Sequence, residues 1–558
     1  MSDDRTVGLA VSVPEEYRRA CRLLGLSVEA ETVLAGSYAL AGGLWLVGLA
    51  LLAAGSGTVV VVAGAGVLAA AVGVALGGRY GVELAAQARR VRALGAAPSL
   101  VVTLVLGLTL WPSPERAAAF AASAGDGLLA DSLDAHRRRA RRSPRSGLDA
   151  FAAEWDGTFP ALSRSVARLQ RGAVATAAER DAVLGSARRA ILDGTRDEMA
   201  GFAAGLRAPA TALYAFGVLL PLAFVALLPA VGAAGIPVTA PLLVVSYGIV
   251  LPGGLVVASA WLLAQRPVAF PPAPVPRSHP DIAAGPLRAV VSGLAVAAGT
   301  WLLGHLVFPP WAPPVAALGT GAGTGLLVHY RPVAQVRDHV EAVENGLPDA
   351  LAFVGRRVER GESVEAALIA AVEATPDPLA SVLEATVQRQ RTLGVDIESA
   401  FLGEHGTLAT LPSPRLRRAA VLLGAAAAIG PPAGESITTM GEHLEDLADV
   451  DRALRRELSQ VTGTLSNTAA LFGPLVGGAT VALSATMGGG GPIESVSTAA
   501  LGPVVGWYCL VLAAVLTALS TGLHRGLDRA LVGYRVGLAL CAATGTYLTA
   551  VVATGLLV

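Results

Sequence analysis

Long apolar runs alternate with two long polar blocks along this chain. Apolar stretches cover about 34–55, 57–77, 208–231, 240–264, 289–308, 312–328, 465–487, 499–521 and 536–557. A helix rises about 1.5 Å per residue, so each is long enough, or nearly so, to cross roughly 30 Å of hydrocarbon. The run at 312–328 is the shortest. The pattern predicts an all-α polytopic membrane protein with about nine transmembrane helices. In the polar blocks the period changes. Val340, Val343, Leu347, Leu351 and Val354 recur every three or four residues, the spacing of one helix face. Gly361 should end that helix, and Ser363 should cap the next, which carries Ala366, Ala367 and Ala370. Pro376 and Pro378 break it. Further helices are expected from about 379 to Gly394, from 414 to 428, and from 434 to 460, the last running into the span at 465. No stretch sustains strand alternation, so each block is expected to be a small helical bundle.

The two halves repeat. Pro98, Ser113, Glu115, Ala117, Leu129, Ala130, Leu133, Ala135, Ala150, Phe151 and Glu154 find the same residue 250 positions later, from Pro348 through Ser363 and Phe401 to Glu404. The offset then moves to 256, and Phe216, Gly217 and Leu219 match Phe472, Gly473 and Leu475. A fixed register through a soluble block, with matching flanking spans, predicts a duplicated scaffold. Each copy has four spans, so the copies share one orientation and form a parallel repeat.

Arginines orient it. None lies near 56, 232–239, 309–311 or 488–498. Arg79, Arg89, Arg90, Arg92, Arg207, Arg266, Arg277, Arg288, Arg331, Arg337, Arg525, Arg529 and Arg535 crowd the other side, which the positive-inside rule makes cytoplasmic. The expected division is a cytoplasmic segment 1–33, a membrane pair 34–77, a first cytoplasmic domain 78–207, a membrane pair 208–264, and a Pro-rich linker 265–288. A membrane pair 289–328, a second cytoplasmic domain 329–464, a membrane pair 465–521, a cytoplasmic loop 522–535 and a last span 536–558 follow. The N-terminus and both domains are expected inside the cell membrane and the C-terminus outside.

Composition agrees with a membrane protein. Of 558 residues, 53% are hydrophobic and 15% charged, against roughly 25% charged in soluble proteins. Net charge is zero, which gives no reason to expect a nucleic-acid partner. Every basic residue is arginine, since lysine is absent. The first block holds 19 arginines and 13 acids, the second 13 and 20. The densest clusters are Arg137, Arg138, Arg139, Arg141, Arg142 and Arg145, and Glu442, Glu445, Asp446, Asp449 and Asp451. They are either solvated faces or surfaces by which the blocks dock on each other or on partners. The first 30 residues are polar and lack the apolar core of a signal peptide.

Catalytic chemistry has no visible carrier. A GxxxxGK[ST] phosphate loop needs a lysine. Gly319, Gly321, Gly323 and Gly325 lie inside a span and fit close helix packing better than nucleotide binding. Cys21, Cys509 and Cys541 make no metal-binding spacing, and His443 beside Glu442 and Glu445 is too little for a metal site. Neither GxSxG nor HExxH occurs. The expectation is a protein that is not an enzyme and holds no cofactor or metal. No Asp, Glu or Arg lies inside a span. This weakens the main alternative, a multi-span transporter built on parallel repeats, which usually needs such groups for coupling.

Leu347-Pro348-Asp349-Ala350-Leu351 opens a helix ending at Arg360-Gly361, followed by Ser363 to Ala370, Pro378-Leu379, Leu393-Gly394-Val395-Asp396 and Ala400-Phe401. With the apolar hairpin Leu465 to Gly522 after it, this resembles the type II secretion system F family. The family motif positions are Leu347, Pro348, Asp349, Leu351, Gly361 and Gly394. The resemblance covers about 340–520. The first copy departs from it: Ala96-Ala97-Pro98-Ser99-Leu100 replaces the opening motif, and Trp111-Pro112 stands where Gly361-Glu362 would be. Two such domains with about nine spans are most similar to the archaeal members, the tight-adherence C-like platforms of type IV pili and archaella. The resemblance implies a membrane platform protein that couples a hexameric secretion ATPase to insertion of pilin or archaellin subunits into a filament. Family precedent implies a homodimer surrounded by membrane lipid. The candidate ATPase contacts are Arg356, Arg357, Arg360, Arg415, Arg417 and Arg418.

Overall fold

The computed structural model describes residues 13–24, 30–54, 57–111, 113–125, 127–140, 146–157, 159–233, 239–266, 275, 279, 282, 286–487, 498–526 and 528–557. Arg141, Arg142, Arg145, Arg277 and most of the Pro-rich linker lie outside them. The described residues contain helices and no strand. The chain begins with α1 (Glu15–Leu24), the hairpin α2 (Ala30–Ala54) and α3 (Thr58–Leu76), a π-helical turn at Gly77–Gly81, and α4 (Val82–Gly95). The first soluble block comprises α5 (Ala97–Leu110), α6 (Pro114–Ala124), α7 (Leu128–Ala140), α8 (Gly147–Trp155), α9 (Pro160–Val174) and most of α10 (Ala177–Tyr214). A π turn, Ala215–Leu219, carries α10 into α11 (Leu220–Ala233), and another, Ser246–Val250, joins α12 (Ala240–Val245) to α13 (Leu251–Ala264). The second half runs α14 (Pro286–Val307), α15 (Ala312–Glu359), α16 (Val364–Ala374), α17 (Leu379–Leu393), α18 (Ile397–Leu402), α19 (Pro414–Ile429) and α20 (Gly434–Asn467). A π turn, Thr468–Phe472, leads into α21 (Gly473–Met487), and α22 (Thr498–Arg525) and α23 (Arg529–Leu557) follow.

Seven of these helical stretches are long and apolar enough to cross a membrane: Ala30–Ala54, Val59–Gln87, Glu179–Leu228, Ala240–Ala264, Pro286–Val307, Ala499–His524 and Arg529–Leu557. They coincide with seven of the nine expected spans. The other two, 312–328 and 465–487, are helical as well. The first of them packs closely between helices. A Cβ at Gly319 would strike Thr544, and one at Gly293 would sit 2.8 Å from the Gly321 carbonyl. One at Gly537 would sit 2.8 Å from the Gly323 carbonyl. Small residues thus let α14, α15 and α23 meet backbone to backbone.

Local signals set most ends in the soluble blocks. The Ser363 side chain accepts from the Ala366 N–H, Asp396 from Ser399 and Ser413 from Leu416, each satisfying an otherwise orphaned helix donor. Gly361 (φ +94) and Gly394 (φ +64) terminate α15 and α17 in the left-handed region that other residues avoid. One expectation fails. No helix opens at Leu347-Pro348, because that motif lies inside α15, which continues through Pro332 and Pro348. The apolar stretch 312–328 and the polar stretch that follows lie on this one helix of 48 residues, about 72 Å long.

Each soluble block has its own core, but the two share α5. That helix is apolar all round and buried along its length, which is how a helix too short to span a membrane hides such a surface. Leu100, Val101, Leu104, Val105 and Leu108 enter the first core, while Val102 and Leu106 enter the second. In return Leu447 of α20 packs into the first core. The helices of the two blocks also keep step. α6 and α16 begin 250 residues apart, as do α8 and α18, and the π turns at Ala215–Leu219 and Thr468–Phe472 begin 253 apart.

Candidate functional site

The six candidate arginines do not form one patch. Arg356 and Arg360 are exposed at the end of α15. Arg357 between them is tied to Glu362 at 2.7 Å and lies over the Phe353 ring. Arg415 pairs with Glu344 at 3.5 Å, and Ser413 donates to the same carboxylate at 2.6 Å. Arg418 Nε donates to the Pro414 carbonyl, and Arg417 is exposed. Because Arg415 is anchored at Glu344, the start of α19 sits about 18 Å along α15 from Arg356. Leu347 and Leu351 are in the core, Gly361 and Gly394 end helices, and Asp349 is exposed. Sequence reasoning missed three other glycines. A Cβ at Gly355 would sit 2.9 Å from the Gly434 carbonyl, one at Gly434 would sit 2.9 Å from that of Gly355, and one at Gly441 would sit 2.8 Å from that of Pro348. They bring α15 against α20, and their irregular spacing carries no motif.

The seam between the blocks has its own electrostatics. Arg137 and Arg138 pair with Asp134 on their own helix, at 2.5 and 2.7 Å, not with the acidic cluster. An ion pair across the seam joins Arg188 of α10 to Glu442 of α20, at 3.1 Å. Beside it His443 is buried, while Glu442 and Glu445 are exposed, so the three do not converge on one point. Neither ring nitrogen of His443 has a hydrogen-bond partner among the described residues. Burial first, then the charges of Arg418, Arg188 and Arg415, hold its pKa well below the usual histidine range.

A second network lies where the soluble and apolar parts of the rods meet. Arg455 of α20 bonds Glu341 of α15 at 3.2 Å and Asp451 at 2.7 Å. Arg266, just after α13, is buried beside Asp451 and Arg455, and burial lowers its pKa to about 10. Arg337 of α15 meets the buried Asp528 at 2.5 Å, and Asp528 also caps α23 by accepting from the Ala530 N–H. The arginines invoked for orientation therefore also lace helices together.

Among the apolar helices, three consecutive residues of α22 reach two π turns and the residue that follows a third. Trp507 Nε1 donates to the Gly248 carbonyl at 3.3 Å, Tyr508 Oη donates to that of Gly217, and Cys509 Sγ approaches that of Gly473 at 3.9 Å. A π turn disturbs the helical hydrogen-bond ladder, and carbonyls it leaves over need partners where water is scarce. The Tyr247 and Tyr508 rings meet edge to face, with centroids 5.4 Å apart. No sequence signal marked these turns.

Compared with known proteins, the chain matches no family model, no curated protein and no solved structure.

Proposed function

We propose that this chain is the membrane platform of a type IV pilus-like assembly machine, coupling a cytoplasmic hexameric secretion ATPase to the insertion of pilin or archaellin subunits into a filament. The observation that carries this reading is mechanical. α10 runs without a loop into α11, α15 joins its apolar start to its soluble end, and α20 runs on into α21. A displacement of either soluble block is therefore passed to membrane helices along helical backbone, with no loop between them. In this reading both blocks are cytoplasmic, the spans number nine with the C-terminus outside, and the chain catalyses nothing itself. The matched starts of helices and π turns in the two halves favour a duplicated F-type domain. So does the packing of like elements on like: α10 on α20, α11 on α21, and α13 on α22.

Of the six candidate arginines, the exposed Arg356, Arg360 and Arg417 are the proposed ATPase contact, since Arg357 and Arg415 already serve internal carboxylates. The test is co-purification of a secretion ATPase with the full chain from detergent-solubilised membranes, with and without Arg356→Glu, Arg360→Glu and Arg417→Glu together. Retention by the parent and loss in the triple variant is the expected result. Retention by both rejects this interface, and absence of an ATPase from both at low salt rejects the platform reading.

A further inference from the structure

The helix α9 carries three charged residues, Arg164, Arg168 and Arg171, and no acid. Spaced by four and three, they share one face. Arg164 and Arg171 are exposed and Arg168 is half-buried. Arg168 donates to the Ser186 carbonyl at 3.2 Å and Arg171 to that of Ala167 at 3.4 Å, but among the described residues no carboxylate pairs with any of the three. The exposed face of α20 has the opposite character. Glu445 and Asp446 have no arginine partner among the described residues, and Asp449 has only Arg452 of its own helix, at 2.7 Å.

The two faces stand at the same height. α9 lies antiparallel to α10: a Cβ at Gly194 would strike Ala161, Arg168 reaches Ser186, and a Cβ at Gly172 would meet Leu184. Counting along α10 to the apolar stretch from 208, Arg164 stands about 25 Å and Arg171 about 36 Å above it. Counting along α20 to the apolar stretch from 465, Asp449 stands about 24 Å and Glu445 about 30 Å above it. A lipid surface at that distance is screened, since the Debye length is about 8 Å in physiological salt. A second copy in the same membrane, in contrast, is held at the same height and in the same orientation.

We propose that the Arg164–Arg168–Arg171 face of α9 docks on the Glu445–Asp446–Asp449 face of α20 in a second copy of this chain. The inference rests on both blocks lying on one side of the membrane and is independent of what the platform assembles. Single exposed pairs are weak, but three act together here, and confinement to a bilayer raises the effective concentration of the partner.

The experiment uses full-length chains reconstituted in lipid vesicles, with energy transfer between labelled copies reporting association. Reversing the basic face (Arg164→Glu, Arg168→Glu, Arg171→Glu) or the acidic face (Glu445→Arg, Asp446→Arg, Asp449→Arg) should each weaken association on the order of tenfold. Both reversals in one chain should restore it, which a mere folding defect would not, and 0.5 M salt should weaken the parent alone or the double reversal alike. A chain that stays monomeric at low salt, an association indifferent to both reversals, or a double reversal that does not recover overturns the proposal. Labelling of Arg168→Cys and Asp446→Cys by an impermeant maleimide in oriented vesicles tests the premise separately. Reaction from opposite sides would overturn the shared orientation itself.

Discussion

Replacing His443 by leucine should tighten the seam between the two soluble blocks and remove its sensitivity to acid. The side chain is 1% exposed and both ring nitrogens lack partners. A buried polar side chain left unpaired costs at least about 1–3 kcal/mol, so His443→Leu, which fills similar space without polar atoms, should stabilise the closed seam by at least about that much. The pH effect has a definite sign. Burial and the three guanidiniums depress the folded-state pKa well below 6.5. Above that value the ring is neutral whether the seam is closed or open. Below it the opened state gains a proton that the closed state refuses, so stability is complete above about 6.5 and declines as pH falls, by about 1.4 kcal/mol per pH unit. The seam of the parent protein should therefore be about 1.4 kcal/mol weaker at pH 5.5 than at pH 7.5 by this term. Other titrating groups are common to both proteins and cancel in the difference. Hydrogen exchange of peptides covering 436–447 and 97–110, corrected for intrinsic rates at each pH, reads the opening free energy locally. The reasoning is refuted if parent and variant lose protection in parallel on acidification, or if the leucine variant opens more readily at pH 7.5.

Leu106→Ala should cost about 2–5 kcal/mol and, because Leu106 lies in the second core while its helix belongs to the first, should raise exchange in both blocks at once. Protection lost from the first block alone would contradict the shared helix. Asp528→Ala should cost about 3–5 kcal/mol by leaving the guanidinium of Arg337 buried and unpaired, and Arg337→Met added to it should recover much of the loss in a thermal-unfolding assay. Gly323→Leu places a side chain where a Cβ alone would already sit 2.9 Å from the Gly537 carbonyl, so monodisperse protein should be lost on size-exclusion chromatography, whereas Gly299→Leu, with nothing within 4 Å, should be tolerated.

Helix ends in the second block were legible because their signals are local. A serine at 363 or 413 and a glycine at 394 act through the next few backbone groups, whatever packs above them. The continuity of α15 was not legible. Pro332 and Pro348 ordinarily mark a helix start or kink, and only packing along the whole rod, against α14 and α23 at one end and α20 at the other, holds them inside. α5 was missed as a junction for a similar reason. An apolar helix of 14 residues states that it is buried but not between what. The six arginines come from two separate stretches, 356–360 and 415–418, and nothing local in the sequence shows that Glu344 draws Arg415 to a different level of the rod.

The seam and the π turns are two ends of one lever system. From Gly473, held near Cys509, to Glu442, paired with Arg188, lie 31 residues of nearly continuous helix, about 46 Å. A tilt of about 5° at the membrane end therefore displaces the seam by about 4 Å. That exceeds the reach of both the ion pair and the van der Waals contacts around Leu447, so even a small rotation must either carry both soluble blocks together or part them at α5. Bending within the rods can relieve this where the hydrogen-bond ladder is disturbed, at the turns Ala215–Leu219 and Thr468–Phe472 and at the internal Pro209, Pro332 and Pro348; α22 places Tyr508 at Gly217 within the first turn and Cys509 at Gly473 just after the second. Both turns thus lie in the apolar layer, each beside a side chain of the same helix, α22.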